Sequence, residues 1–405
     1  MKILVCTQMF PTSDKEAIVS GMIKNPYNQT VALSESGCDV DVITTGETIK
    51  KYRISDIDVW SVGNGCFKGV VKSFIYEMMI FLCFLKLRGW KRYDVIHVHH
   101  LNIPLLVVLK LLGWLNAKLV YTAHGTSTPE LNAAKQGSAL FYFALRFNGV
   151  LQHALDRFSW CNADLVLSPS KFQVKEMVDM YSVPEANIKV IYNGVDSDLF
   201  KPDIALRQKL RNDIRVSDDD FVVLFVGRAA SKKGVDYLIY AMDSVHDLFP
   251  NTKLLLVLGY LGRQKNYLDK IILLAKERKY IDLRINVPER DLPKFYNAAD
   301  LSVFPSLGYE SIPTVIFESI ACGLPILTQG SWGIPEVLKG QFIDEESILC
   351  GELGENIGRL IKDQDLLKKD GENNFIESKT YHWSRGGQTL KNVYQAVLSG
   401  DSVNA

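Results

Sequence analysis

The run YESIPTVIFE, residues 309–318, sets two carboxylates, Glu310 and Glu318, eight positions apart on either side of Pro313. Proline fits the first turn of a helix, where its missing N–H leaves no hydrogen bond unmade. The spacing predicts a helix that begins near Pro313, carries Glu318 about one turn in, and stops before Gly323 and Pro325. Glu310 then lies on the loop that enters the helix. The free backbone amides near Ser311, Ile312, Thr314 and Val315, backed by the helix dipole, form an anion site. A carboxylate for hydroxyls, amides for phosphate and a second carboxylate for hydroxyls suit a ligand with a diphosphate in the middle and a sugar at each end. Two solvated acids favoured by the dipole at a helix start would give the same letters.

Three other stretches carry chemistry. In VGRAASKKG, residues 226–234, Arg228 and Lys233 are five positions apart across a short turn after an apolar run. Arg offers a planar fork and Lys a mobile point charge, so both can reach one diphosphate. The stretch lacks the GxxxxGK[ST] of a P-loop. In VYTAHGTST, residues 120–128, His124 follows a strand-like run and precedes Gly125, Thr126 and Ser127. DVIHVHH, residues 94–100, adds His97, His99 and His100 without Cys or acidic partners at ligand spacing, so no metal is expected. His97 and His99 share a strand face, and one of them is expected to be packed core. After the first strand, Gly21 precedes the helix-like NPYNQTVALSES, and no GxGxxG is present, against a conventional dehydrogenase. The NQT at 28–30 matches a glycosylation acceptor by chance if the chain is cytosolic.

The elements that must position these residues are short apolar strands alternating with helical patterns, the mark of βαβ units and parallel sheets. One series runs 2–8, 39–45, 94–100, 118–125, 164–170 and 188–194. A second runs 221–227, 252–259, 281–287, 300–306 and 325–330. Between them NGVDSDLFKPDIALRQKL, residues 193–210, has the turn residues of a linker. The expected domains are 1–195 and 196–383, with a closing amphipathic helix over 384–400 returning to the first. In such sheets ligands sit at the carboxyl ends of strands, where all the residues named above fall.

A chain of 405 residues is long enough for two domains. Lys plus Arg equals Asp plus Glu, 46 each, which gives no nucleic-acid footprint. Residues 1–195 hold 20 basic and 16 acidic side chains against 26 and 30 in 196–405, a mild asymmetry. Seven scattered cysteines without CxxC spacing indicate reduced thiols and a cytoplasmic location. The apolar runs 74–87 and 103–115 are too short to span a bilayer and carry Glu77 and Lys110, so they are expected as buried helices.

Together these stretches resemble the retaining family-4 glycosyltransferases of the GT-B fold, an α/β architecture of two Rossmann-like parallel-sheet domains facing a central cleft. YESIPTVIFESIACGLPIL is similar to that family's E-x7-E signature, and VGRAASKKG to its GR…KG segment. IKVIYNGVDSDLFKP, LPKFYNAADLSVFPS and GIPEV are similar to its flanking segments, so the likeness covers nearly the whole chain. It departs at Gly21-Met22, where many relatives have two glycines, and at Ser311-Ile312-Pro313, where Gly-Phe-Gly is usual. The resemblance implies a sugar nucleotide, UDP-linked by default, held by the C-terminal domain. Glu318 would bind the ribose and Glu310 the transferred sugar. Arg228 and Lys233 would hold the diphosphate, Gly21 would let a loop approach it, Val287 would flank the base, and His124 would face the sugar.

No metal or other cofactor is expected. Retention would proceed by front-face attack in a water-poor site. The acceptor is expected to be a glycan, a lipid-linked or a small hydroxyl compound, with His99, Asn102, Thr126 and Ser127 as candidate contacts. The basic and aromatic KLRGWKRY, residues 86–93, could rest on an anionic membrane. A glycoside hydrolase, a sugar-nucleotide epimerase and a non-catalytic sugar-nucleotide-binding module are the alternatives. The hydrolase is disfavoured because the two glutamates address different parts of the ligand.

Overall fold

The computed structural model describes residues 1–13, 21–46, 48–63, 70–88, 92–125, 139–260, 262, 264–343, 348–349 and 351–401. They form two units. One comprises Met1–Glu16, Met22–Tyr192 and Trp383–Ala405, and the other comprises Ala17–Gly21 and Asn193–His382.

The first unit is built on β1 (Lys2–Thr7), β2 (Asp39–Thr45), β3 (Lys50–Ile54), β4 (Ile57–Val62), β5 (Val95–His99), β6 (Lys118–Thr122), β7 (Leu165–Ser168) and β8 (Ile188–Val190). Their order is β3-β4-β2-β1-β5-β6-β7-β8, parallel except for the β3–β4 hairpin. Side chains alternate between faces, as the strand period of two requires. Leu4, Cys6, Ile96, Val98, Leu119 and Tyr121 pack under Ile80, Phe84, Leu106 and Val107 of the two apolar helices Val70–Lys86 and Pro104–Leu111. Ile3, Val5, Val40, Val42, Val95 and Val120 face the other way, toward Leu33 and toward Leu390, Val393, Tyr394 and Val397. Those last four lie on the helix Trp383–Ser399. Gly387 is what lets that helix close on the helix Gly21–Glu35, because a Cβ there would collide with the Ala32 carbonyl. Each fully buried Val, Leu or Ile contributes about 1.5–3 kcal/mol, so both sheet faces are strongly held.

The second unit carries β9 (Phe221–Arg228), β10 (Thr252–Gly259), β11 (Ile281–Ile285), β12 (Leu301–Phe304), β13 (Ile326–Gln329) and β14 (Gln341–Ile343). The order β11-β10-β9-β12-β13-β14 is parallel throughout. Chain direction across the sheet reverses between β9 and β12, and beyond the carboxyl ends at such a reversal is where open α/β sheets place their ligands. The corresponding reversal in the first unit lies between β1 and β5.

The structure departs from the expected strand series in three places. β3, β4 and β14 are additional strands. Residues 193–210 start at the unit boundary and fold into the second unit. Phe200 is fully buried, Val195 bridges to His382, and a helix Ile204–Asp213 begins inside the stretch, capped by Asp203. The unit boundary falls between Tyr192 and Asn193. Among the described residues Cys6, Cys38, Cys83, Cys161 and Cys322 are free thiols, while Cys66 and Cys350 lie outside them. No helix among the described residues is long and apolar enough to cross a membrane.

Candidate active site

The residues at the β9/β12 reversal converge. Arg228 ends β9, and the short turn Ser231–Lys233 follows it. Gly234 adopts a left-handed φ of 68°, and a Cβ there would strike the Pro305 carbonyl oxygen. Only glycine lets this turn seat against the loop after β12. Leu307 N donates to Lys232 O at 2.7 Å and Ser306 Oγ to the same oxygen at 3.2 Å, which staples the two segments.

That seating brings Lys233 Nζ to 2.5 Å from Glu310 Oε1, with Ser306 Oγ 3.3 Å from the same oxygen. Lys233 Nζ also stands 4.7 Å over the Phe304 ring. Lys233 is buried. Burial pulls its pKa below the ordinary lysine value, against the raising effect of Glu310, while Lys232 and Arg228 push the same way as burial. Arg228 is half-buried, its carbonyl accepts from Ala230 N at 2.8 Å, and among the described residues no side-chain hydrogen bond or ion pair engages its guanidinium. Two cations thus stand close enough to repel, a pair that a polyanion would relieve.

The helix Thr314–Ala321 starts after Pro313, and no side chain caps its first turn. Thr314 and Val315 are half-buried, and the preceding Ile312 is buried, its carbonyl accepting from Asn193 Nδ2 at 3.4 Å. Glu318 is one turn in, 3% exposed, with Oε2 accepting from Tyr296 OH at 2.7 Å. Val287 lies just beyond β11, half-buried, after Asn286 in a left-handed conformation. Tyr296 was not among the expected site residues. Its signal was the Tyr of LPKFYNAADLSVFPS, which sequence alone does not pair with Glu318.

In the first unit β5 and β6 bring the histidines together. His99 Nδ1 and His124 Nε2 are 2.9 Å apart, and His99 Nε2 and His97 Nδ1 are 3.1 Å apart. The His100 ring stacks on His124 at 3.8 Å between centroids. Gln173 Nε2 donates to Ala123 O at 2.7 Å and fixes the exit of β6. Burial holds His97 down at about 3 and His100 at about 4, and holds His99 and His124 well below the usual imidazole range.

Two of the expected acceptor contacts, His99 and Asn102, lie inside the fold. His97 and His99 are both fully buried, and the ring nitrogens of His99 are committed to His97 and His124. Asn102 is 3% exposed, with its backbone N–H donating to Glu77 Oε1 and its side chain to Asp156 Oδ1. Burial in that acid-lined spot pushes Glu77 up to about 8. Thr126 and Ser127 lie outside the described residues. Gly21 is the first residue of its helix. Among the described residues one cluster, Asp196, Asp198 and His382, is close enough to hold a cation, and it includes none of the residues expected to bind the donor.

Two family signatures span the chain in succession. One described as Glycosyltransferase Family 4 matches residues 24–199, and one described as Glycosyl transferases group 1 matches residues 207–375. An uncharacterized glycosyltransferase of Methanocaldococcus jannaschii is 25% identical, covering 98% of this chain and 99% of its own length. A D-inositol 3-phosphate glycosyltransferase of Corynebacterium jeikeium is 26% identical over 75% of this chain and 73% of its own. Sucrose-phosphate synthase from Thermosynechococcus elongatus superposes with a TM-score of 0.81 at 20% identity, covering 99% of this chain and all of that one. Anabaena HepE in complex with UDP-glucose superposes at 0.72 and 19% identity, covering 98% of this chain and all of that one. With the paired sheets, the E-x7-E run and these matches together, the chain belongs to the family-4 glycosyltransferases of the GT-B fold, enzymes that transfer a sugar from a nucleotide sugar with retention by family.

Proposed function

We propose that this enzyme moves a sugar from a UDP-sugar to a hydroxyl of a glycan or glycolipid, in the assembly of a cell-surface polysaccharide or glycoconjugate. The observation that carries the donor side is the meeting of Arg228, Lys233 and Glu310 at the sheet reversal, beside an uncapped helix start. Lys233 and Arg228 hold the diphosphate, and the amides of Thr314 and Val315 add N–H donors to it. Glu310 takes hydroxyls of the transferred sugar. Glu318, steadied by Tyr296, takes those of the ribose. Val287 flanks the base, Gly21 leaves room for a phosphate, and His124 acts on the transferred sugar.

The reaction needs no metal on this reading. The bond from the anomeric carbon to the β-phosphate oxygen breaks, and the leaving electron pair stays on that oxygen under the two cations. The acceptor oxygen bonds the same face of the anomeric carbon, and its proton passes to the departing phosphate. The Anabaena neighbour that holds UDP-glucose supports UDP as the nucleotide. Lys86 and Arg88 are exposed, as are Leu111, Leu112 and Trp114 at the end of the helix Pro104–Leu111 and just past it, a composition suited to peripheral contact with an anionic membrane. Tyr93 takes no part, being buried and bonded to Asp41.

A thermal-shift screen against nucleoside diphosphates and sugar nucleotides tests the reading, because a specific binder raises the melting temperature by mass action. UDP and one UDP-sugar should stabilise. A panel in which no nucleotide does so contradicts the assignment. Nucleoside diphosphate release on adding acceptor separates a transferase from a binding module.

A further inference from the structure

The loop after β13 reads GSWG, residues 330–333, and its tryptophan takes the left-handed conformation. Trp332 has φ 59°, whereas Gly333, the next residue, has φ −82°. A Cβ in that region crowds the following carbonyl, so the position favours glycine and a bulky aromatic there is an outlier.

The side chain does not offset this by entering the core, because Trp332 is only half-buried. Its ring lies 6.2 Å from that of Tyr309, with the two planes at 57°. The cost of the left-handed backbone and the gain from one tilted aromatic contact are of similar size, so the pair leaves no surplus. Among the described residues no other ring and no hydrogen bond engages the indole. Residues held in sparsely populated backbone regions cluster where a ligand is gripped.

The place of the pair indicates which ligand. β12 and β13 are parallel neighbours, with Phe304 opposite Thr328 at the end of their ladder, so the loops carrying Tyr309 and Trp332 leave the same edge of the sheet. β12 flanks the chain reversal with β9. Tyr309 directly precedes Glu310, whose carboxylate meets Lys233. Consecutive Cα atoms are about 3.8 Å apart, so the aromatic corner is anchored one residue from the group assigned to sugar hydroxyls. A pyranose carries hydroxyls around its rim and C–H bonds on its faces. The ring oxygens draw density from those C–H bonds, and the positive hydrogens suit the negative face of an aromatic ring. A carboxylate on the rim and an indole on the face thus recognise different parts of one sugar. Inclined at 57°, the Tyr309 ring does not cover the indole face to face.

We propose that Trp332, braced by Tyr309, stacks on the C–H face of the transferred pyranose and sets which sugar the donor carries. Trp332 has no part in holding the diphosphate or the base. An epimer that turns a hydroxyl axial onto the stacked face sets an oxygen against the ring and is disfavoured. The inference rests on the proposed function, which places the transferred sugar at Glu310.

Titration calorimetry of the full-length protein with UDP, UDP-glucose, UDP-galactose and UDP-N-acetylglucosamine tests it. Wild type should bind UDP and at least one of the three sugar nucleotides. Trp332→Gly and Trp332→Leu should leave UDP affinity unchanged and weaken that sugar nucleotide by about 5–10-fold. Trp332→Phe keeps a ring and should retain most of the affinity. Leucine keeps apolar bulk and the left-handed strain, so equal losses in the Gly and Leu variants assign the effect to the aromatic face. Glycine removes the strain together with the Tyr309 contact, so the melting temperature of Trp332→Gly should stay within about 2–4 °C of wild type. Losses of UDP and sugar-nucleotide affinity that run in parallel overturn the proposal, as does a sugar-nucleotide affinity that neither variant changes. A wild type that binds UDP but none of the three sugar nucleotides overturns it as well, and one that binds none of the four overturns the donor assignment with it.

Discussion

Lys233 and Glu310 come from different strand-to-helix loops, 77 positions apart, and meet at 2.5 Å with both side chains largely enclosed. A cation assigned to phosphate is thus held by the carboxylate assigned to sugar. On the proposed roles, a diphosphate arriving at Lys233 would compete with Glu310 for it, and the carboxylate would be released toward hydroxyls as the phosphate binds.

This pairing separates two variants. Lys233→Met should weaken UDP binding by about 10–100-fold, the loss of one charge-assisted hydrogen bond. Glu310→Gln removes the competitor for Lys233, so it should tighten UDP binding while lowering the transfer rate by about 100-fold or more. Titration calorimetry with UDP and a release assay with the donor found by the thermal screen read the two effects. Equal losses of UDP affinity in both variants would contradict the division of roles.

Tyr296→Phe removes the hydroxyl that donates to Glu318. The buried carboxylate then loses a partner, and the second unit should lose about 1–3 kcal/mol in urea unfolding. If Glu318 takes the ribose, affinity for UDP falls as well. Unchanged affinity alongside the stability loss would reduce Glu318 to a packing role.

Arg211 is 1% exposed and donates to Ala298 O, Asp300, Ser217 O and Asp220 O. Asp300 also accepts from Arg207 and from Val222 N. Arg211→Met leaves Asp300 under-paired, and the second unit should lose about 3–5 kcal/mol. The fraction still folded should bind UDP as wild type does.

The buried histidines give the first unit a defined acid sensitivity. Their folded pKa values lie below the unfolded imidazole value near 6.5, with His97 at about 3 and His100 at about 4. The unfolded chain therefore binds protons that the folded one does not, and the stabilisation is complete above pH 6.5. It should decline as pH falls from about 6.5 toward 4, by several kcal/mol in sum. Urea midpoints for wild type and His97→Asn across that range check it. A midpoint as flat in wild type as in the variant would contradict it.

Much of this was legible in the chain. The apolar runs from KILVCTQ to PILTQG mark eleven of the strands, because fully buried parallel strands need continuous β-branched stretches. Pro313 fixed where the Glu318 helix starts. The β3–β4 hairpin was hidden because its turn is Ser55-Asp56, both left-handed, rather than the Asn-Gly such turns favour. Burial of Phe200 and Arg211 was masked by the turn residues around them. The histidine cluster had a signal in HVHH, but its contact with Tyr394 from the closing helix has no local pattern behind it.

The most direct test of the donor assignment is a crystal structure with a UDP-sugar bound. The account predicts the diphosphate against Arg228, Lys233 and the amides of Thr314 and Val315, the sugar on Glu310 and the ribose on Glu318. A diphosphate bound elsewhere, with the Lys233–Glu310 pair still closed, would contradict it.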